Sequence, residues 1–358
     1  MYLKDIKLNN FRNYENQLIS CIDGINLFVG PNAQGKTNII ESIYMSAFGK
    51  SYRAQKDSEV IKFNQDFAKI KLNYFDNVDK EIEIYIDKYN KKQIKEDGVV
   101  IKKISDHVGN LLIVIFSPDS MDIVKGAPIK RRKFLDEICV QLSKKYLFYL
   151  QEYNKCLKMK NMILKNDDKN IDRKYIDILH LKMSEYIKQI VDFRQIVLEK
   201  IQKNSISIIS SLTNNTEKLK IKYNSDFILL GKEQIKKTLD DAFKYEIYKK
   251  SSLKGIQKDN IDFYLNDNDV SVYGSQGQKR TVLLTLKLAD FEVLRQEKNK
   301  TPILLLDDIM SELDSNRTNY LLNYIKEYQS IITTTEANFI KSTQNVKIQK
   351  VLNGVLEN

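Results

Sequence analysis

Residues 28–44 read FVGPNAQGKTNIIESIY, and no other stretch narrows the possible folds as far. Gly30 to Thr37 follow the pattern G-x-x-x-x-G-K-[ST]. An apolar, strand-like run (INLFV, 25–29) stands in front, and a helical pattern follows from about Lys36 to Phe48. Glycines at 30 and 35 let the main chain wrap closely around an anion, and the amides of the loop and of the helix start point at it. In such a loop the lysine, here Lys36, reaches the β- and γ-phosphates of a nucleotide, and Thr37 offers its hydroxyl to Mg²⁺. The expected phosphate contacts are Gly30, Pro31, Asn32, Ala33, Gln34, Gly35, Lys36, Thr37 and Asn38. A loop that joins a buried strand to a helix in this way requires an α/β fold.

The partner motif comes late. ILLLDDIMSELD (303–314) places two carboxylates at the carboxyl end of an apolar run, where ligands sit in open α/β sheets. Asp307 is expected to hold Mg²⁺, directly or through water, and Asp308 to orient or deprotonate an attacking water. The two motifs lie more than two hundred residues apart, so one nucleotide domain is split around an insertion. The first hundred residues read mostly as strands: 2–8, 16–20, 25–29, and a hairpin of 68–75 with 81–86 around DNVDK. LLIVIF (111–116) reads as a buried strand.

From about Pro128 the period turns helical. Leu135, Ile138, Leu142, Tyr146, Leu150, Tyr153 and Leu157 form one run. Ile176, Leu179, Met183, Ile187, Ile190, Val197 and Ile201 form another, beyond the polar turn NDDKN (166–170). This predicts an antiparallel helical hairpin. The end of the chain returns to alternating helix and strand, the mark of a parallel sheet. The expected division is 1–128 and 263–358 for the nucleotide lobe and 129–262 for the helical lobe.

Composition narrows the chemistry. Cys21, Cys139 and Cys156 are scattered, and there are only two histidines, His107 and His180. Neither spacing suits a metal cluster or a thiol nucleophile, so carboxylates, lysines, hydroxyls and backbone amides must serve. The formal net charge of +11 among 358 residues suits a polyanionic partner, though a solvated lysine-rich surface would look the same. No apolar run reaches the length of a membrane helix, and the N-terminus has no export pattern, so no membrane role and a cytoplasmic location are expected.

A third motif stands between the insertion and the acids. VYGSQGQKR (272–280) opens a long helix, and Ser275-Gln276-Gly277-Gln278 resembles the Ser-Gly-Gly-Gln signature of ATP-binding-cassette ATPases with one departure. LNNFRNYEN (8–16), GKSYR (49–53), FSPDSMDIVKGAPIKRRKFLDE (116–137) and LLLDDIMSELD complete a pattern that, over the whole chain, resembles the RecF family of SMC-like recombination and repair ATPases.

The resemblance implies an ABC-type P-loop ATPase head, split in sequence, with a mixed sheet and a short helical lobe. It implies ATP and Mg²⁺ as cofactors and an ATP-dependent homodimer. Ser275, Gln276, Gly277 and Gln278 would then meet the nucleotide of the other subunit, with Ser311 and Asp314 in the loop that crosses the interface. It further implies DNA as a partner, double-stranded, gapped or at a junction, and RecO and RecR as helpers in loading recombinase. Arg12 is expected near the nucleotide. Arg53, Lys130, Arg131 and Arg132 are candidates for DNA or phosphate contacts, with a plain surface role as the other reading.

Two departures bear on rate. Asp308 stands where typical ABC ATPases have glutamate, and Thr335 stands where a histidine follows the last strand. Both suggest slow hydrolysis, as for a switch. A transporter ATPase subunit and an ATPase-nuclease of the overcoming-lysogenization type are the alternatives.

Overall fold

A computed structural model of the chain describes residues 1–165, 172–337 and 345–357. The chain folds into two compact units. Residues 1–121 and 284–358 form one, and residues 122–283 form the other.

The first unit holds two six-stranded sheets. One is antiparallel and takes its strands from the first hundred residues. Its strand Phe67–Asp76 alternates buried and half-buried positions without a break, as a strand with one covered face must. It turns directly at Asn77 (φ 61°) into Val78–Asp87, so the hairpin is tighter than DNVDK suggested: Asp76 already pairs with Val78. The other sheet runs in the order Val355–Glu357, Val346–Leu352, Ile25–Val29, Ser330–Thr334, Ile303–Asp307, Ile113–Phe116. All its neighbours are parallel except the C-terminal pair. Three of these strands, Ile303–Asp307, Ser330–Thr334 and Ile113–Phe116, are buried at every position, which is why they read as continuous apolar runs. The helix Lys36–Phe48 is buried from Ile39 onward, and Gly49 ends it in a left-handed turn at φ 68°.

The second unit is mainly helical. The helices Lys144–Lys165 and Arg173–Thr213 pack together, and Lys232–Lys249 packs on the longer one. Every apolar position of the predicted second run, from Ile176 to Ile201, is buried. The first run is broken. Pro128–Leu142 ends at Ser143, whose backbone is extended (φ −143°) and whose Oγ accepts from the N–H of Tyr146 to start a new helix. The buried face therefore changes phase, to Tyr146, Tyr153, Cys156, Lys160 and Leu164, while Leu150 and Leu157 are half-buried. Buried charge secures this unit. Arg194 bonds Asp136 and Asp259 at 2.8 Å each, and Lys160 pairs with Glu246 at 2.6 Å. The NDDKN turn lies outside the described residues.

The units divide at 122 and 284 instead of 129 and 263. The later crossing has a clear cause: Asn260–Leu265 and Asn268–Asp269 form a three-stranded sheet with Leu219–Asn224, which keeps them in the second unit.

Candidate active site

The loop from Gly30 to Lys36 leaves the end of the central strand Ile25–Val29. Gly35 has φ 113°, a conformation that side chains disfavour, and a Cβ there would lie 2.5 Å from Asn13 Nδ2. Lys36 is only 7% exposed, and its Nζ donates to the carbonyls of Gly30 (2.6 Å) and Pro31 (2.7 Å). Burial holds its pKa below the ordinary lysine value, and Asp308 and Asp307 partly offset that.

Asp307 is the buried end of its strand, and three hydroxyls hold its carboxylate. Thr37 Oγ1 (2.9 Å) and Thr333 Oγ1 (2.7 Å) donate to Oδ1, and the Tyr52 hydroxyl donates to Oδ2 at 3.3 Å. The fold thus brings together Thr37 and Asp307, which are 270 residues apart. Asp308 follows in a left-handed turn (φ 52°), with its N–H bonded to Thr333 O and Oγ1. Its Oδ1 is buried without a hydrogen-bond partner among the described residues. Burial, with Asp307 beside it, raises its pKa above the usual carboxylate range, and Lys36 pulls the other way. An acceptor in that state suits a proton or a water.

The donor set also fits Mg²⁺. Thr37 and Asp307 present hard oxygens side by side. No cluster of three or more His, Cys, Asp or Glu side chains suited to a metal exists among the described residues. A cation here would therefore rest on these two residues and on oxygens of the nucleotide.

A second set of residues braces the loop from behind. Glu41 is fully buried and takes both Nε (2.9 Å) and Nη2 (2.6 Å) of Arg12, together with Ser51 Oγ and Arg53 Nη1 (3.3 Å). Arg53 also donates to Asn38 Oδ1 at 3.0 Å. Asn13 bonds Gln34 O and Asn38 Nδ2, each at 2.8 Å, and Tyr14 donates to Gly35 O. Sequence reasoning singled out Arg12 and Arg53 but passed over their neighbours Asn13 and Tyr52, and missed Glu41 and Thr333. Thr333 was findable, because the parallel register sets it directly opposite Asp307.

Residues 2–357 match the family described as RecF/RecN/SMC N terminal domain. A curated relative from Clostridium perfringens (strain 13), named DNA replication and repair protein RecF, is 40% identical across the whole of both chains. One of the same name from Clostridium kluyveri is 41% identical over 96% of this chain and 95% of its own. The chain belongs to the RecF family. A solved structure described as the recombination mediator protein RecF-ATPrS in the RecFOR pathway superposes with a TM-score of 0.91 at 34% identity, covering 99% of this chain and 97% of that one. An SMC head bound to the winged-helix domain of ScpA reaches 0.57 at 16% identity, covering 100% and 96%, which extends the likeness of fold alone.

Within this RecF-type frame the other predicted residues take different places. Ser275 is exposed at the start of the helix Gln276–Lys298. Its Oγ accepts from the N–H of Gln278, and its own N–H donates to Gln278 Oε1 (2.9 Å), a reciprocal cap. Gln278 is thereby used at home, and its Nε2 donates to Glu217. Gln276 and Gly277 supply first-turn amides, which a helix cannot bond internally. Ser311 is exposed and donates to the carbonyl of Asp308. Asp314 caps the helix Ser315–Ile325 by accepting from the N–H of Arg317.

Two expectations need correction. Thr335 is exposed, beyond the end of Ser330–Thr334, and the threonine that reaches the acids is Thr333, two residues earlier and buried within the strand. Arg131 is buried, bonding Asn260 Oδ1 and Gly126 O at 2.9 Å each, so it braces the second unit and does not serve as a phosphate contact. Arg132 spends Nη1 on Asp259 O (2.7 Å), while Lys130 is an exposed lysine 3.4 Å from Asp122.

Proposed function

We propose that this protein is an ATP-operated switch on DNA, serving replication and recombinational repair in the cytoplasm. The observation that carries the reading is the junction of Thr37 with Asp307, which joins the two ends of the chain into one phosphate and cation site. Relatives solved as RecF-ATP and RecF-ATPrS support ATP as the nucleotide. When bound, Mg²⁺ supplies charge neutralisation to the phosphates, held from this chain by Thr37 and Asp307. Lys36 releases its two carbonyls to meet phosphate oxygens. Asp308 accepts from the attacking water through its unspent oxygen.

The site is completed by a second copy. The exposed Ser275 hydroxyl and the amides of Gln276 and Gly277 face the γ-phosphate held by the other subunit, as a helix start faces any anion. Ser311 and Asp314 lie at that junction. Hydrolysis removes the bridging charge and releases the dimer. The aspartate at 308 has a shorter reach than glutamate, and Thr333, the threonine that reaches the acids, cannot titrate, so turnover is slow. The net charge of +11, with Arg53 and Lys130 as contact candidates, supports DNA as the polyanion. RecO and RecR enter as partners through the family.

The test is binding of gapped, duplex and single-stranded DNA with ATP, with ADP and with no nucleotide, at stated salt. Binding to gapped or junction DNA that is tightest with ATP is expected. Affinity indifferent to nucleotide would contradict the switch, and DNA cleavage with Mg²⁺ would favour an ATPase-nuclease.

A further inference from the structure

The last strands of the chain reach the phosphate loop from outside. Val346–Leu352 runs parallel to Ile25–Val29, with Lys350 opposite Val29, and is carried past the end of that strand to the loop. It turns at Asn353 (φ 48°) and Gly354 (φ 74°) into Val355–Glu357. Both turn residues bond one residue of the loop. The N–H of Asn353 donates to Gln34 Oε1 at 2.7 Å, and the N–H of Gly354 donates to Gln34 O at 3.1 Å. That carbonyl also accepts from Asn13 Nδ2. Packing is close here: a Cβ on Gly354 would lie 2.7 Å from Asn13 O, and a Cβ on Gly30 would lie 2.3 Å from Val351 O.

The consequence follows from peptide geometry. The Gln34 carbonyl and the Gly35 N–H belong to one planar, trans unit, so they point in opposite directions. Two donors that hold the carbonyl outward therefore aim the Gly35 amide inward, where a loop of this kind receives phosphate. Nothing within the loop itself does this, because Gly35 has the freest backbone of any residue type.

We propose that the Asn353-Gly354 turn is a positioning element of the nucleotide site, which sets phosphate affinity by fixing the Gln34–Gly35 peptide. The inference rests on the ATP reading above. The Gly35 amide meets phosphate in the ground state and in the transition state alike, so the turn acts on KM and leaves kcat nearly unchanged.

The experiment measures MgATP and MgADP binding, steady-state KM and kcat, and nucleotide-free thermal melting on the full chain. Asn353→Pro removes one N–H and cannot adopt a positive φ. Gly354→Ala keeps its N–H but strains the turn against Asn13. Both are expected to weaken MgATP and MgADP binding by about tenfold, on the scale of one hydrogen bond, with kcat at saturation kept. Asn353→Gly retains the N–H and the turn and is expected to restore wild-type affinity. If Asn353→Pro fails to fold, Gly354→Ala carries the test. Variants that melt earlier yet bind nucleotide within about twofold of the wild type would overturn the proposal. Failure of the wild type to bind MgATP would instead overturn the ATP reading.

Discussion

The phosphate loop and the Ser275 stretch both open helices, yet they are secured in opposite ways. The loop and the Asp307 that meets it are braced by residues from all over their unit: Asn13, Tyr14 and the Asn353-Gly354 turn bond the loop itself, Tyr52 and Thr333 hold Asp307, and Glu41 holds Arg12 and Arg53 behind. The Ser275 stretch is exposed and secured mainly by its own reciprocal cap, with a side-chain bond from Gln278 to the distant Glu217. A site that must be shaped before its ligand arrives needs such long-range bracing. A surface completed by another molecule needs only a rigid tip.

The largest difference should come from the bracing. Glu41→Ala removes the buried carboxylate shared by Arg12 and Arg53 and should cost about 3 kcal/mol of stability, the scale of a broken buried ion pair. Denaturant unfolding checks this, and a loss below about 1 kcal/mol would make the brace incidental. Lys36→Ala should weaken MgATP binding roughly a hundredfold, as expected for lost charge-assisted bonds, with little change in nucleotide-free melting. Thr333→Val removes one of the two Oδ1 donors on Asp307, and should lower kcat by about tenfold and raise the Mg²⁺ concentration needed. Ser275→Ala, on the locally secured side, should cost only about 1 kcal/mol as a lost cap and leave single-chain nucleotide affinity unaltered.

The acid pair predicts a pH dependence. As the proposed base Asp308 must be ionised, and burial raises its pKa from the ordinary aspartate value, so kcat should rise with pH through that raised value, and Asp308→Asn should abolish the rise along with most of the activity. For stability the sign is reversed. The folded state holds this proton more tightly than the unfolded one, so the group costs stability once it ionises, and Asp308→Asn should melt slightly higher at neutral pH. An acidic limb at the ordinary aspartate value would contradict the assignment.

The contrast also explains what could be read from sequence. The loop and the acids were legible because each is short and forced by chemistry at fixed spacing. The split domain followed from their order. The braces were not, because Asn13, Glu41 and Thr333 act on residues ten or more positions away, and only register and packing bring them together. Thr335 follows from the resemblance, as the position where a histidine follows the strand, whereas Thr333 meets Asp307 through the parallel register, which the sequence does not display directly. The break at Ser143 was hidden because helical spacing runs smoothly across it. Arg131 looked like surface because KRRK reads as a charged run, whereas its helix turns that one position inward. The terminal hairpin had a plain signal, Asn-Gly between the apolar pairs Val351-Leu352 and Val355-Leu356, yet its contact with residue 34 had none.

The central claim is that the loop of one copy and Ser275 of another share one γ-phosphate. Sedimentation velocity of the wild type and of Ser275→Arg, with MgATP and with MgADP, tests it most directly. The account predicts a dimer only for the wild type with MgATP, and monomer for Ser275→Arg even where nucleotide binding to the single chain is intact. A full-strength Ser275→Arg dimer with MgATP would contradict it.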